Sequence, residues 1–336
     1  MVIDAVITWV DDKDPEWRQQ KDMYMEAAGK STDTRASRYR DFGTLKYLFR
    51  SIEKYAPWIN SIYFVTNGQR PEWLNLDNSK IKCIDHKVFL KDENLPTFSS
   101  QAIDTNFWRI EGLSEHFIYF NDDMFLTSPV SENDFFINGL PVDMFSERPI
   151  FTSNLVASHN MLNIIATLGK YYDRKEVLKN NRAKVLCPKY GLLFFYNLIW
   201  YFFPFKKFCG LYMNHLPMSY LKSEMKKVYL RDQEIFDLTS SHRFRDISDI
   251  NQFIFNYESL LSGKFSPMNM DKQGKSFYIS TDSNKALFAA IKKERYKRIC
   301  INDELEDCDD ICFEKIKKDL LESFDAILHE KSKFEK

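Results

Sequence analysis

The chain has 336 residues and a mass of 40.0 kDa, enough for two average domains or one large α/β domain with a substantial core. An aromatic content of 15%, only 10 glycines and no internal period exclude a disordered, collagen-like, repetitive or small disulfide-scaffold protein. With 47 Lys and Arg against 48 Asp and Glu the formal charge is −1, so no global basic excess marks a binder of nucleic acid or anionic surfaces, and electrostatic recognition must be local.

The six cysteines, at 83, 187, 209, 300, 308 and 312, never form the C-x-x-C spacing of a structural zinc site and read mostly as buried thiols. The N-terminus runs from Met1 straight into Val2-Ile3-Asp4 without a basic or apolar signal segment, and no N-x-[ST] sequon occurs. The expectation is a reducing, cytosolic compartment.

Val2 to Val10 is an apolar, β-branched run that stops at Asp11, Asp12 and Asp14, the pattern of a buried parallel strand delivering carboxylates to a sheet edge. Asp14-Pro15 predicts a helix start, with the helix running to about Ala28 and ending at Gly29. Leu45, Leu48, Ile52 and Tyr55 recur at helical spacing until Pro57. A strand is predicted at Ile62 to Thr66, broken by Asn67-Gly68-Gln69, where glycine permits a tight turn near a ligand. Lys80 to Asp85 predicts a third strand, Ser100 to Gly112 a helix, and Phe117 to Phe120 a fourth strand running into Asn121-Asp122-Asp123. Strand and helix alternate, which predicts a mostly parallel sheet with helices on both faces. From Pro149 to Met213 the pattern changes and reads as an insertion. Phe313, Ile316, Leu320, Phe324 and Ile327 then predict a long closing helix capped by Asp309 or Asp310, followed by a frayed tail over Lys331 to Lys336.

Ligands of open α/β sheets gather beyond the carboxyl ends of the strands, where groups from separate strands converge. Three such ends carry polar clusters: Thr8-Trp9-Val10-Asp11-Asp12, Asn67-Gly68-Gln69 and Asn121-Asp122-Asp123. Adjacent carboxylates after an apolar strand are similar to the metal-binding pair of nucleotide-sugar transferases, where Mg²⁺ or Mn²⁺ neutralises a diphosphate. A solvated turn is the plain alternative, because Asn and Asp favour turns.

The surrounding segments match one family in order. Ile3-Asp4-Ala5-Val6-Ile7-Thr8-Trp9-Val10-Asp11 is followed by Arg38-Tyr39-Arg40-Asp41, Leu45 to Trp58, and Val65-Thr66-Asn67-Gly68-Gln69. Then come Leu95-Pro96-Thr97-Phe98-Ser99-Ser100, Arg109-Ile110-Glu111-Gly112-Leu113-Ser114 and Phe120-Asn121-Asp122-Asp123. Shorter matches are Asn214-His215-Leu216-Pro217-Met218, Arg245-Asp246-Ile247-Ser248-Asp249 and Cys300-Ile301-Asn302-Asp303. The chain resembles the Stealth family, bacterial capsular and cell-wall polysaccharide phosphotransferases related to the catalytic subunit of lysosomal-enzyme N-acetylglucosamine-1-phosphotransferase. It departs from the family pattern at Ser248, where relatives carry Glu, and at Met218, where a second His is common.

The resemblance implies transfer of a sugar-1-phosphate from a UDP-sugar to a glycan hydroxyl, forming a phosphodiester and releasing UMP. Asp122 and Asp123, with Asn302 and Asp303, would hold Mg²⁺, with Mn²⁺ as an alternative. Arg245, helped by Arg38 or Arg40, would stabilise phosphoryl charge, and His215 would be the general base. Thr8, Trp9 and Asp11 would contact the nucleotide, Asn67, Gly68 and Gln69 would shape its cleft, and Ser99, Ser100 and Arg109 would face the substrates. Plainer roles stand beside these: a core histidine at 215, a surface ion pair at Arg245, a solvated acidic face at 303 to 310, a solubilised loop at 38 to 40, and Ser99, Ser100 and Asp104 capping and facing a helix. His159 reads as structural.

Tyr190 to Phe205 holds no charge and is dense in aromatics, but its 16 residues fall short of the roughly 20 that span a bilayer. Residues 170 to 189 carry seven Lys or Arg against Asp173 and Glu176, and Lys206 and Lys207 follow. Basic flanks around an aromatic segment fit a peripheral membrane contact, useful for a lipid-linked acceptor; a buried helix or an oligomer contact fits equally.

The expected architecture is thus a Rossmann-like, glycosyltransferase-like α/β fold: a nucleotide-sugar part over 1–148, a largely helical insertion over 149–212 facing acceptor or membrane, and a part over 213–330 completing the catalytic domain. The expected location is the bacterial cytoplasm or the inner face of its membrane, with no nucleic-acid partner. Two rivals are a metal-dependent glycosyltransferase releasing UDP and a non-catalytic glycan-binding or assembly protein.

Overall fold

The computed structural model describes residues 1–28, 41–151, 153, 155–305 and 308–336. Its strands in chain order are β1 (Ile3–Thr8), β2 (Ile62–Thr66), β3 (Ile81–Asp85), β4 (His116–Phe120), β5 (Met124–Leu126), β6 (Phe136–Ile137), β7 (Leu140–Asp143), β8 (Met218–Leu221), β9 (Ser266–Pro267), β10 (Gly274–Ile279) and β11 (Arg298–Asp303). The main sheet has the order β3-β2-β1-β4-β8. Its first four members are parallel, and β8 joins antiparallel with Tyr119 opposite Met218. Every residue of β1 and β2 is buried, which explains their unbroken apolar sequence. This is the expected Rossmann-like α/β core.

Topology brings distant residues to one sheet edge. Parallel pairing sets the ends of β1 to β4 side by side. Because β8 runs the other way, its start, just after His215, lies at that same edge. In the second sheet, β10-β11-β5, Cys300 on β11 pairs antiparallel with Met124 on β5. The end of β11 therefore returns beside the acid pair that precedes β5, and the Ile301 amide donates to the Asp123 carbonyl at 2.9 Å.

The helix Leu45–Tyr55 buries Leu45, Tyr47, Leu48, Phe49, Ile52 and Tyr55. The closing helix Asp310–Leu328 packs on it, Tyr47 stacking on Phe324 at 5.3 Å, and Asp309 caps it by accepting from the Cys312 amide.

Three expectations are corrected. The helix predicted from Ser100 to Gly112 covers only Ser100–Asp104, with a 3₁₀ turn at Phe107–Arg109. Thr105 Oγ1 donates to the Gln101 carbonyl and Asn106 Nδ2 to the Ala102 carbonyl, so side chains occupy acceptors that a continuing helix would use. The tail is docked, not frayed: Phe334 is buried, and Glu335 accepts both Nε and Nη2 of buried Arg50, at 2.7 and 2.8 Å. Of the cysteines, only Cys187 and Cys300 are buried; the other four are half-buried.

Residues 149–212 carry the helices Val156–Leu168, Arg174–Asn180, Arg182–Val185 and Leu193–Tyr201. A buried Arg174–Glu147 ion pair ties them to the segment after β7, with Arg174 Nε donating to both carboxylate oxygens at 3.0 and 2.9 Å.

Candidate active site

Two contiguous cavities open at the strand-end edge, sharing Trp9, Val10, Ser100, Asn121, Asp122 and Arg245. The smaller, about 140 Å³, is walled by Trp9, Trp17, Phe98 and Phe244, with Phe98 and Phe244 stacked at 5.1 Å. Its polar lining comes from Thr8, Asn67, Thr97, Ser100 and Arg245. Buried Asn67 Oδ1 has no hydrogen-bond partner among the described residues. His86, at the end of β3, also lines this pocket, and burial lowers its pKa to about 4, so it is neutral.

The turn beneath this pocket is built by residues that do not line it. Gln69 accepts from the Asp11 amide and donates to the Asp11 carbonyl and to Asp14, tying the β2 loop to the β1 loop. Gly68 has φ +98°, and a Cβ there would stand 3.1 Å from Asp85 Oδ2.

The larger cavity, about 490 Å³, gathers Asp41, Asp104, Tyr119, Asp122, Asp123, His215, Arg245, Asn302 and Asp303 from six separate parts of the chain. Burial, then the charges of Asp123 and Asp41, push the Asp122 pKa up to about 8. Asp123 Oδ1 is buried without a hydrogen-bond partner among the described residues. A ligand atom each of Asp123, His215 and Cys300 lie within 4.8 Å of one another.

The hydrogen bonds fix the tautomer of His215. The Phe277 carbonyl can only accept, so the Asn302 amide NH₂ faces it, at 3.1 Å. Asn302 Oδ1 therefore faces His215 Nδ1 at 3.3 Å and accepts its proton. Nε2 is left as the basic nitrogen. Cys300, 3.3 Å from Nδ1, stays a neutral thiol because burial and Asp123 raise its pKa well above the ordinary value.

Arg245 donates to Ser100 Oγ at 2.8 Å. Its loop is braced: Asp249 accepts from the Asp246 amide, pairs with His242 Nδ1 at 2.6 Å, and its carbonyl accepts from Asn160 and Asn163 on Val156–Leu168. Tyr119 OH donates to Asp104 Oδ1 at 3.0 Å and meets Thr8 Oγ1 at 3.2 Å, while Thr8 Oγ1 donates to Asn121 Oδ1. Burial raises the Asp104 pKa to about 7, opposed by the Tyr119 hydrogen bond and by Arg245.

The family description Stealth protein CR1, conserved region 1, matches residues 1–29, and Stealth protein CR2, conserved region 2, matches residues 38–142. The chain is similar along its length to the capsular polysaccharide phosphotransferase WcwK of Streptococcus pneumoniae, 37% identical over 99% of this chain and 98% of that one. It is likewise 36% identical to the receptor polysaccharide phosphotransferase WefC of Streptococcus oralis, over 99% of each. The exopolysaccharide phosphotransferase cps2G of Lactiplantibacillus plantarum is 35% identical over 99% of this chain and 96% of its own. The chain belongs to the Stealth family.

In this Stealth protein the two matched regions supply Thr8, Trp9, Asn67, Ser100, Asp122 and Asp123, while His215, Arg245, Asn302 and Asp303 lie beyond both and reach the cleft through the fold. Asp11, Gly68, Gln69 and Ser99 stand behind the lining, Ser99 fully buried. Arg109 is not brought to the cleft: it lies over the Trp108 and Tyr229 rings and donates to Asn106. Arg38 and Arg40 lie outside the described residues. Asn302, expected as a metal ligand, orients the imidazole.

Sequence reading missed Asp41, Tyr119, Asn160 and Cys300, and it weighed Asp104, which lines the cleft, as part of a helix face. Asp104 follows Ser100 by four residues and so shares its helix face; Asn160 was out of reach, because its partners lie 59 to 89 positions away.

The carboxylates fit a hard divalent cation. Asp41, Asp122 and Asp123 crowd carboxyl groups at one wall, where a cation would displace the proton held on Asp122, and Asp123 Oδ1 has no hydrogen-bond partner among the described residues. His215 and Cys300 add nitrogen and sulfur donors, which Mg²⁺ does not favour, so the oxygen side of the cluster is the side that suits it.

Proposed function

We propose that this Stealth protein is a transferase that moves hexose-1-phosphate, or N-acetylhexosamine-1-phosphate, from a UDP-sugar to a glycan hydroxyl, releasing UMP, in capsule or cell-wall polysaccharide synthesis in the bacterial cytoplasm. Support comes from the names of its full-length relatives, all polysaccharide phosphotransferases. The observation that carries the chemistry is the convergence of an acid pair, an oriented histidine and a braced arginine on one cleft continuous with an aromatic-walled pocket.

The nucleotide sits in the smaller cavity, its base against Trp9 or Phe244, with Asn67 Oδ1 able to accept the imide N–H of uracil. The acceptor oxygen gives its proton to His215 Nε2 and attacks the phosphorus that bears the sugar; the bond from that phosphorus to the UMP oxygen breaks. Arg245 hydrogen-bonds the phosphoryl oxygens as charge builds. Asp122 and Asp123, with Asp303 beside them, would hold Mg²⁺, which when bound neutralises diphosphate charge.

The test is the leaving nucleotide. Purified protein, Mg²⁺, a panel of UDP-hexoses and glycan acceptors should yield UMP by chromatography and a phosphodiester signal by ³¹P NMR. Release of UDP would instead mean attack at the anomeric carbon by a glycosyltransferase.

A further inference from the structure

The helix Leu193–Tyr201 uses its one buried polar residue to face inward. Asn197 Nδ2 donates to the Phe145 carbonyl at 2.7 Å and to the Val185 carbonyl at 3.0 Å. The helix end is pinned by the buried Arg174, whose Nη atoms donate to the carbonyls of Trp200, Phe203 and Phe205. With the inner face fixed, an apolar stripe is left outside. Leu192, Phe195, Ile199 and Phe202 follow at spacings of three and four residues and are 87, 61, 64 and 73% exposed, and Phe203 and Phe205 extend the patch. Six neighbouring large apolar side chains in water are a costly arrangement for a surface that nothing covers.

The charges around the patch say what covers it. Between Glu176 and Glu224 the chain has no Asp or Glu but seven Lys or Arg. Lys179, Arg182, Lys189, Lys206 and Lys207 are exposed. A helix of 9 residues is about 13 Å long and cannot cross a bilayer core of about 30 Å; no helix among the described residues is long and apolar enough to do so. An aromatic stripe flanked along the chain by exposed basic residues, with only Asp173 and Glu176 against them, is the composition of an element that lies in a lipid interface with its lysines toward anionic headgroups.

We infer that the outer face of Leu193–Tyr201 and the following loop to Lys207 docks on an anionic lipid bilayer. The patch is coupled to the cleft by the helix Val156–Leu168. At one end Val156 and Ala157 line the larger cavity, and at the other Lys207 Nζ donates to the Gly169 carbonyl at 3.3 Å. Thirteen residues span about 20 Å, so docking holds the cleft mouth within reach of a glycan carried on a lipid.

The experiment is flotation of the full chain with phosphatidylcholine vesicles, with and without phosphatidylglycerol. The wild type should float with the anionic vesicles and stay behind in high salt. Phe195→Glu/Phe202→Glu should lower the partition coefficient roughly 100-fold or more, and Lys206→Glu/Lys207→Glu roughly 30-fold. Both pairs are exposed, so circular dichroism should be unchanged; if the first variant fails to fold, the lysine variant still decides. Wild type that never floats, floats equally with neutral vesicles, or forms a dimer that Phe195→Glu/Phe202→Glu dissolves would overturn the inference, the last outcome giving the face to a second copy. Vesicle binding is read without turnover, so failure here leaves the transfer chemistry standing.

Discussion

The cleft and the insertion use the same aromatic wealth in opposite ways. Around the cleft, Trp9, Trp17, Phe98 and Phe244 turn inward and shelter a cavity whose polar groups arrive from separate strand ends. Along Leu193–Tyr201 and its flanks, Leu192, Phe195, Ile199 and Phe202 turn outward, and the polar residue, Asn197, is inside. What differs is the support. The cleft rests on parallel strands whose backbone pairing needs no particular side chain, whereas the insertion, which buries Ile164, Leu168, Val177 and Leu178, also leans on a buried ion pair, Arg174–Glu147. The cleft should therefore tolerate loss of its polar groups structurally while losing chemistry, and the insertion should do the reverse.

The largest expected effect is on turnover. If the carboxylate wall holds a divalent cation as proposed, Asp123→Ala should reduce UMP release by about 10³-fold or more, with circular dichroism unchanged. Turnover within a few-fold of wild type would remove Asp123 from the machinery. On the other side, Arg174→Ala leaves Glu147 buried without its partner and should cost about 3 to 5 kcal/mol in denaturant unfolding. A shift under about 1 kcal/mol would mean that the insertion is held by its apolar contacts instead.

A smaller effect is pH-linked. Asp104 has its pKa raised to about 7 in the fold against 3.8 when unfolded, so the folded protein holds this proton more tightly. Its contribution to stability is full below about pH 4 and is lost as pH rises through 7. Asp104→Asn lacks that loss, so the variant should gain on the wild type by about 1 kcal/mol or more between pH 5 and 8. A difference in unfolding free energy that stays constant across that range would contradict the shift.

The core strands were legible because β-branched runs end sharply at polar residues, and β2 falls at Ile62–Thr66 as read. The acid pair and His215 were legible through motifs. What the sequence hid depends on partners far along the chain. The tail looks frayed until Glu335 meets Arg50, 285 positions away. The helix after Ser100 looks long until Thr105 and Asn106 turn their side chains onto its own carbonyls. Arg109 sits in a matching segment, yet the local turn points it at Trp108 and Tyr229.

The most direct measurement is a double-mutant cycle of Asp123→Asn and His215→Gln, read as the rate of UMP release. If the two act in one catalytic centre, each single change removes nearly all of the acceleration and the double variant is little worse than the poorer single. Losses that multiply, with the double variant slower by the product of the two singles, would show that the carboxylate and the imidazole work independently and would contradict a shared centre.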